Sequence, residues 1–424
     1  MNLLALRAYS LGIFFYSGGI LIASSWNKKA KQWVQGRKNQ GKIITSLLNK
    51  DENRVWFHCA SAGEFEQGRP VIEAYRKQFP LHKIILTFFS PSGYELFKNY
   101  KGADYIFYLP VDTPQRAKQF VLLLQPQLAL FIKYEYWFNI LYQLSAQKIP
   151  LLLVSGVFRK EHFFFKWYGR PFREILSCFN KIFVQDENSF LLLNEFGIAN
   201  AEISGDTRLD RVWKIAESPV RIPMIEKFKG HEKVFVAGST WEEDETILFP
   251  LIGNDEFWKW IIAPHEINYH HLRELKNRWG EKVIFFSEAT DENINHKDFL
   301  IVDKIGLLSS VYQYANLAYV GGGFGKGIHN ILEAAVYGIP VLFGPQYHKF
   351  TEAKELLLQG EVRSVQNDME MNNAFTYYKQ EKNAIKAISN KNYIAANKGA
   401  TTKIMNYISQ LETYKKYKAQ IPLI

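Results

Sequence analysis

The chain is 424 residues long, 47% hydrophobic and 15% aromatic, too long for one core and too apolar for a disordered or fibrous polymer. Its 52 basic residues against 42 acidic ones leave a formal charge of +10, which favours anionic partners: nucleic acid, anionic lipid or phosphorylated substrates. Two cysteines, Cys59 and Cys178, stand in no CxxC or Cys/His metal spacing, so a disulfide framework and a structural zinc site are excluded.

The elements begin with an anchor. After Arg7 no charge occurs from residue 8 to residue 27, a run that includes Leu11, Phe14, Phe15, Leu21 and Ile22. That is about the ~20 residues needed to cross a hydrocarbon core. Gly12, Gly18, Gly19 and four serines also suit a helix lying shallowly in one leaflet. Trp26 and the cations Lys28, Lys29, Lys31, Arg37 and Lys38 follow, and they put the body of the protein on the cytoplasmic side of the membrane. The competing reading is a cleaved signal peptide ending at "ILIASS".

From residue 55 short apolar runs alternate with helical patterns, as in a parallel sheet covered on both faces. Strands are expected at 55–60, 83–89, 105–109, 128–132, 150–154, 181–185 and 201–204, with helices at 70–79, 92–100 and 114–124. A polar, proline-containing stretch at 217–230 reads as a linker. Strands resume at 233–237, 258–263, 282–286, 299–302, 317–320 and 339–343, and the Lys-rich tail reads as helices. The expected organisation is an anchor at 1–27, an N-terminal doubly wound α/β domain at 28–216, the linker, and a C-terminal α/β domain at 231–424.

Two segments carry chemistry. In "YVGGGFGKGIHNILEAAVYGIPVLFGP" a strand runs into Gly321, Gly322 and Gly323, and a helix is expected to start near His329 and Asn330. Glycines admit a phosphate close to the backbone, and a helix start offers free N–H groups. The spacing matches neither a Walker loop nor a Rossmann fingerprint. A carboxylate such as Glu333 in the first helical turn can accept from ribose hydroxyls, or can merely complement the helix dipole. In "HCASAGEFEQGRP" the first strand leads to Glu64 and Glu66, with Pro70 read as suiting the start of the next helix. A carboxylate at the carboxyl end of a strand can serve as a general base, or can be loop solvation. No Asp-x-Asp pair occurs, which disfavours transferases that hold a divalent metal through that motif, and no GxSxG elbow of a serine hydrolase is present.

These segments, with "YLPVDTP", "YEYWFNIL", "SGDTRLDRV", "VAGSTWEEDE" and "APHE" in that order, resemble the Kdo transferases (3-deoxy-D-manno-octulosonic acid transferases) of lipopolysaccharide assembly. The resemblance covers nearly the whole chain. It implies the GT-B fold, two Rossmann-like domains facing a central cleft, and an inverting, metal-independent transfer of Kdo from CMP-Kdo to the lipid A precursor. It further implies an enzyme of the inner (cytoplasmic) membrane, whose partners are the donor, the lipid acceptor and the membrane surface, not nucleic acid. By position in the motifs, Glu64 corresponds to the catalytic base, and Glu135 and Arg208 to the residues that stabilise the transition state. Pro264, His265, Ile305, Gly306, Leu307, Asn330, Ile331, Leu332 and Glu333 correspond to the CMP-binding positions, and no metal ligand is implied.

Four positions depart from the family's pattern: Arg208 stands for a lysine, Leu307 for an acidic residue, Trp241 for a histidine and Ile331 for a proline. The rival readings are a GT-B transferase using a UDP-sugar for another membrane glycolipid, and a membrane-bound scaffold of the same fold without activity.

Overall fold

The computed structural model describes residues 3–49, 51–251 and 257–420, and the chain divides into two compact units. The first comprises Met1–Asp210 and Gly399–Ile424; the second is Arg211–Lys398. The ends of the expected anchor and tail, residues 1–2 and 421–424, lie outside the described residues.

The first unit opens with three helices, α1 (Leu3–Ala23), α2 (Lys28–Gly36) and α3 (Gln40–Leu47). Its sheet contains β1 (Arg54–His58), β2 (Lys83–Phe88), β3 (Tyr105–Tyr108), β4 (Leu128–Ile132), β5 (Leu151–Gly156), β6 (Lys181–Val184) and β7 (Ala201–Ile203). All pair in parallel, in the order β3-β2-β1-β4-β5-β6-β7. Between the strands run α4 (Ala62–Gln78), α5 (Pro91–Phe97), α6 (Pro114–Leu124) and α7 (Phe138–Ala146). Every residue of β1 and β4 is buried because helices cover both faces, and β4 reads as an unbroken apolar run while β1 carries Arg54 and His58 at its ends. One face packs Trp56, Phe131 and Leu153 against α6 and α7; the other packs Phe57 and Leu130 against Val71 and Tyr75 of α4.

The second unit holds β8 (Lys233–Thr240), β9 (Trp258–Pro264), β10 (Val283–Phe285), β11 (Phe299–Ile301), β12 (Leu317–Val320), β13 (Val341–Phe343) and β14 (Val362–Ser364). Its parallel order is β10-β11-β9-β8-β12-β13-β14. Phe235, Trp260, Tyr319, Leu342 and Phe375 sit in its core.

Several boundaries differ from expectation, each for a physical reason. The first helix after β1 begins at Ala62, not at Pro70, because Ser61 and Glu64 form a reciprocal capping box that starts it early; Pro70 falls inside the helix. The units divide between Asp210 and Arg211, within the helix Thr207–Glu217, and the expected linker contains a helix, Pro223–Lys229. The tail does not stay with the second unit: Ile404, Met405 and Ile408 are buried in the first unit's core beside Phe57 and Tyr75, and Asp210 accepts from the backbone N–H groups of Gly399 and Thr401. Strand β14 went unseen in the sequence, since "VRS" is short and only its valine is fully buried.

Each sheet has one point where successive strands turn to opposite sides, and ligands of open α/β sheets bind outside the carboxyl ends of the strands there. In the first unit this point lies between β1 and β4, in the second between β8 and β12.

Candidate active site

Glu64 and Glu135 leave the carboxyl ends of β1 and β4, the two strands that flank the first unit's switch point. Glu64 is the third residue of α4. Its Oε2 accepts from Ser61 N at 3.1 Å, and Ser61 Oγ accepts from Glu64 N at 3.4 Å. Glu135 lies in the turn between β4 and α7, after Lys133, whose φ of 67° bends the chain back at the strand end.

The two carboxyls are close enough to act on one another's titration. Burial, then the charge of Glu135, raises Glu64 to about 8, and burial raises Glu135 to about 7. Two acidic groups so placed in a low dielectric hold one proton between them near neutral pH.

The sequence reading missed what stands behind Glu135. Its Oε2 lies 3.0 Å from His58 Nε2 and also accepts from Trp137 Nε1. His58 Nδ1 is 2.8 Å from Thr87 Oγ1, which itself accepts from Trp56 Nε1 at 2.8 Å. Complete burial lowers His58 to about 3, so it is a neutral imidazole. In the tautomer that serves both Thr87 and Glu135, Nδ1 accepts from Thr87 Oγ1 and Nε2–H donates to Glu135, so that Trp137 Nε1, 3.1 Å from Nε2, gives its hydrogen to Glu135. The register of the sheet explains the juxtaposition, because His58 and Thr87 are Cα partners across β1 and β2.

Arg208, in the helix Thr207–Glu217, is held by Asp206 through Nε at 2.9 Å and Nη2 at 2.6 Å. Burial would raise Asp206, but the Arg208 guanidinium and its hydrogen bonds bring that carboxyl below its usual range. Thr207 Oγ1 donates to Gln67 O at 2.6 Å, which ties this helix start to α4. Tyr134, next to Glu135, feels the charges of Arg159, Asp186, Glu64 and Arg208, so all of these lie at one end of the unit.

Asp112 of "YLPVDTP" is completely buried and caps α7, accepting from Asn139 N at 3.0 Å and Ile140 N at 2.9 Å. The same carboxylate accepts from Tyr9 OH of α1 at 2.8 Å. One stripe of α1 is therefore docked on the body, with Tyr9 packed on Phe138, while Phe14, Phe15, Leu21 and Ile22 are exposed. Among the described residues α1 is the one helix long and apolar enough to cross a membrane.

In the second unit the nucleotide candidates gather at the carboxyl ends of their strands. Pro264 ends β9, His265 N donates to Thr240 O at 2.9 Å, and Asp244 accepts from Gly322 N at 2.8 Å and Trp241 N at 2.9 Å. A Cβ on Gly321 would stand 2.3 Å from Ser239 O, and one on Gly323 2.5 Å from Gly344 N, so this loop closes tightly on its neighbours. Trp241, His265 and His329 stack in a ladder with centroids 4.7 and 4.2 Å apart, and Trp241 Nε1 donates to His329 Nε2 at 3.1 Å.

Ile305 is exposed, Gly306 has φ 89° and Leu307 caps a short helix, Leu308–Val311. Asn330 Nδ2 donates to Glu333 Oε1 at 3.2 Å, and Arg211 feels the Glu333 charge. Ile331 and Leu332 are buried beneath them. The helix expected to start near His329 instead starts at Leu332 and is a single turn, Leu332–Ala335, because Gly322 to Gly327 fold into a turn and 328–330 stay irregular. Asn330 precedes it and only Glu333 lies within it.

The sequence offered no metal-ligand cluster, but the fold assembles one group. Glu242, His271 and Glu274, from the helices Glu242–Leu248 and Tyr269–Trp279, bring one ligand atom each within 4.8 Å of one another. Buried Glu245 is 3.1 Å from His271 Nε2. Separate helices contribute these residues, so their spacing carries no signature.

Two parallel seven-stranded α/β units are the GT-B architecture, and solved structures agree. The chain superposes on UDP-GlcNAc 2-epimerase of Neisseria meningitidis bound to UDP-GlcNAc with a TM-score of 0.54 at 16% identity, covering 84% of this chain and all of that one. It superposes on MurG of Acinetobacter baumannii with a TM-score of 0.53 at 12% identity, over 84% and 99% of the two chains. At such identities the likeness is one of fold.

Residues 29–211 match the model of the 3-deoxy-D-manno-octulosonic-acid transferase (kdotransferase) family. Curated 3-deoxy-D-manno-octulosonic acid transferases are similar over most of the chain: that of Rickettsia prowazekii is 28% identical, covering 84% of this chain and 79% of its own. That of Aquifex aeolicus is 29% identical over 80% and 90% of the two chains, and that of Haemophilus influenzae 26% over 75% of each. Residues 29–211 thus carry the Kdo transferase family's N-terminal domain, and the chain as a whole has the GT-B fold and resembles Kdo transferases over most of its length.

Proposed function

We propose that this protein transfers Kdo from CMP-Kdo to a phosphorylated, acylated glucosamine disaccharide, the lipid A precursor, with inversion and without a metal ion, at the cytoplasmic face of the inner membrane. The observation that carries the reading is the neighbouring carboxyls Glu64 and Glu135, raised by burial into the neutral range at the switch point of the family-matched unit. A general base works best with a pKa near the operating pH.

In this reading Glu64 takes the proton of the acceptor hydroxyl as its oxygen bonds to the anomeric carbon of Kdo. The bond from that carbon to the CMP phosphate breaks, and CMP leaves with the electron pair. Glu135 stands beside Glu64 and raises its basicity, while His58 and Trp137 fix the orientation of Glu135. Arg208, oriented by Asp206, stabilises the developing negative charge.

On the donor side the tight loop Gly321–Gly323, whose first two N–H groups are given to Gly238 O and Asp244, lets phosphate approach a backbone without side chains. Pro264, His265 and the Ile305, Gly306 and Leu307 stretch contact the nucleotide, and Asn330 and Glu333 accept or donate at its ribose over buried Ile331 and Leu332.

The experiment incubates the full chain with lipid A precursor and either CMP-Kdo or UDP-GlcNAc, with and without EDTA, and reads product mass. Addition of one or more Kdo masses from CMP-Kdo, unchanged by EDTA, is expected. Transfer only from the UDP-sugar contradicts the donor. Loss on chelation with recovery on adding magnesium contradicts the metal-free step and turns attention to Glu242, His271 and Glu274.

A further inference from the structure

The docking of α1 leaves two cavities along one stripe of it. The larger, 720 Å³, runs along Phe14, Ser17, Gly18 and Leu21, spaced i, i+3, i+4 and i+7, and its opposite wall includes Phe120 and Leu123 of α6. The second, 430 Å³, shares Phe14 and continues toward Ser10 and Leu6. The volumes fall in the range of about 300–1,000 Å³ typical of small-molecule sites.

The lining combines a majority of apolar surface with several cations. Lys38, Lys42 and Arg116 line the larger cavity, and among the described residues no carboxylate lines either one. The fourth cation there, Arg37, is committed to the carbonyls of Leu109, Trp33 and Phe89. A Cβ on Gly18 would meet nothing within 4 Å, so the missing side chain leaves open space on the wall of the larger cavity.

We propose that this groove seats one acyl chain of an anionic bilayer phospholipid, its headgroup phosphate held by Lys38, Lys42 and Arg116. An apolar channel ending in uncompensated cations matches a molecule with an apolar tail and a negative head. Inorganic phosphate has no use for the apolar walls. A helix held only by general immersion in lipid has no use for a groove against its own protein body. The proposal stands on α1 and its surroundings and does not depend on the donor or acceptor of the transfer reaction.

The test uses the full chain in phosphatidylcholine vesicles containing a minor fraction of phosphatidylglycerol with a photoactivatable acyl chain, with crosslinks mapped by mass. Crosslinks are expected on Phe14, Ser17, Gly18, Leu21, Phe120 and Leu123. Lys38→Gln/Lys42→Gln/Arg116→Gln and, separately, Gly18→Phe should each cut the yield several-fold, while the exposed face of α1 keeps the protein on vesicles. Gly18→Leu gives a milder loss, and an unchanged thermal midpoint shows that both Gly18 variants fold. Crosslinks spread evenly around α1, including Phe15 and Ile22, or yields indifferent to all three variants, would overturn the proposal. So would displacement of the lipid by inorganic phosphate.

Discussion

His58 Nε2 lies 3.0 Å from Glu135 Oε2, and burial holds the imidazole neutral, so the contact is a hydrogen bond between an N–H and a carboxyl rather than an ion pair. His58 acts through Glu135 and is a positioning residue. His58→Phe removes one of the two donors to Oε2, and with it a hydrogen bond that favours the ionised form of Glu135. The transfer rate should fall about tenfold, the worth of one buried hydrogen bond of ~1.4 kcal/mol. The KM for the donor should stay constant, and the acid limb of the pH profile should move to higher pH. A purely structural histidine would lower the yield of folded protein and leave that limb where it was.

The carboxyl pair sets the pH dependence. With Glu64 as the proposed base, the rate should rise with pH through the raised values of about 7 and 8. After burial, the charge of Glu135 is what raises Glu64 most, so Glu135→Gln should shift the rising limb to lower pH even as it lowers the maximum. Stability runs the other way. Both folded values lie above the ordinary carboxylate range near ~4.3, so the folded state binds the proton more tightly. That contribution is complete below the unfolded value and is lost as pH rises through 7 to 8. Thermal midpoints between pH 5 and 9 should fall less steeply for Glu135→Gln than for the natural protein.

Asp112 joins α1 to the loop and helix that follow Glu135. Tyr9→Phe removes a single hydrogen bond to it and should cost ~1 kcal/mol. Asp112→Ala also strips the cap from α7, leaving the N–H groups of Asn139 and Ile140 without their acceptor, and should cost ~2–4 kcal/mol. Denaturant melts of both variants check the order. Equal losses would mean that the cap on α7 contributes nothing.

Much of this fold was legible because parallel strands covered on both sides leave unbroken apolar runs; 128–132 and 317–320 coincide with β4 and β12. What failed was punctuation. Pro70 reads locally as a helix start, yet the reciprocal bonds between Ser61 and Glu64 begin the helix earlier. The final helix reads as part of the second unit by order in the chain, yet Ile404 and Ile408 bury themselves against the first.

Glu64, Glu135 and Arg208 stood out through motifs, and the structure brings the two carboxyls together. His58 was in plain view within "HCASAGE" and went unremarked, because its meaning depends on pairing with Thr87 across two strands. The same holds for Glu242, His271 and Glu274, which converge from two helices. A register or a helix crossing is a tertiary fact, and composition and spacing do not carry it.

The central claim is that Glu64 takes the acceptor's proton, and Glu64→Gln tests it most directly. Glutamine keeps the size, can accept from Ser61 N and can donate to Glu135, so the capping box and the fold survive while basicity is lost. The initial rate of Kdo transfer from CMP-Kdo to lipid A precursor should fall ~10²–10⁴-fold against the natural protein, with CMP affinity and thermal midpoint unchanged. A Glu64→Gln protein that is folded, binds CMP and still transfers at a near-natural rate would contradict the account.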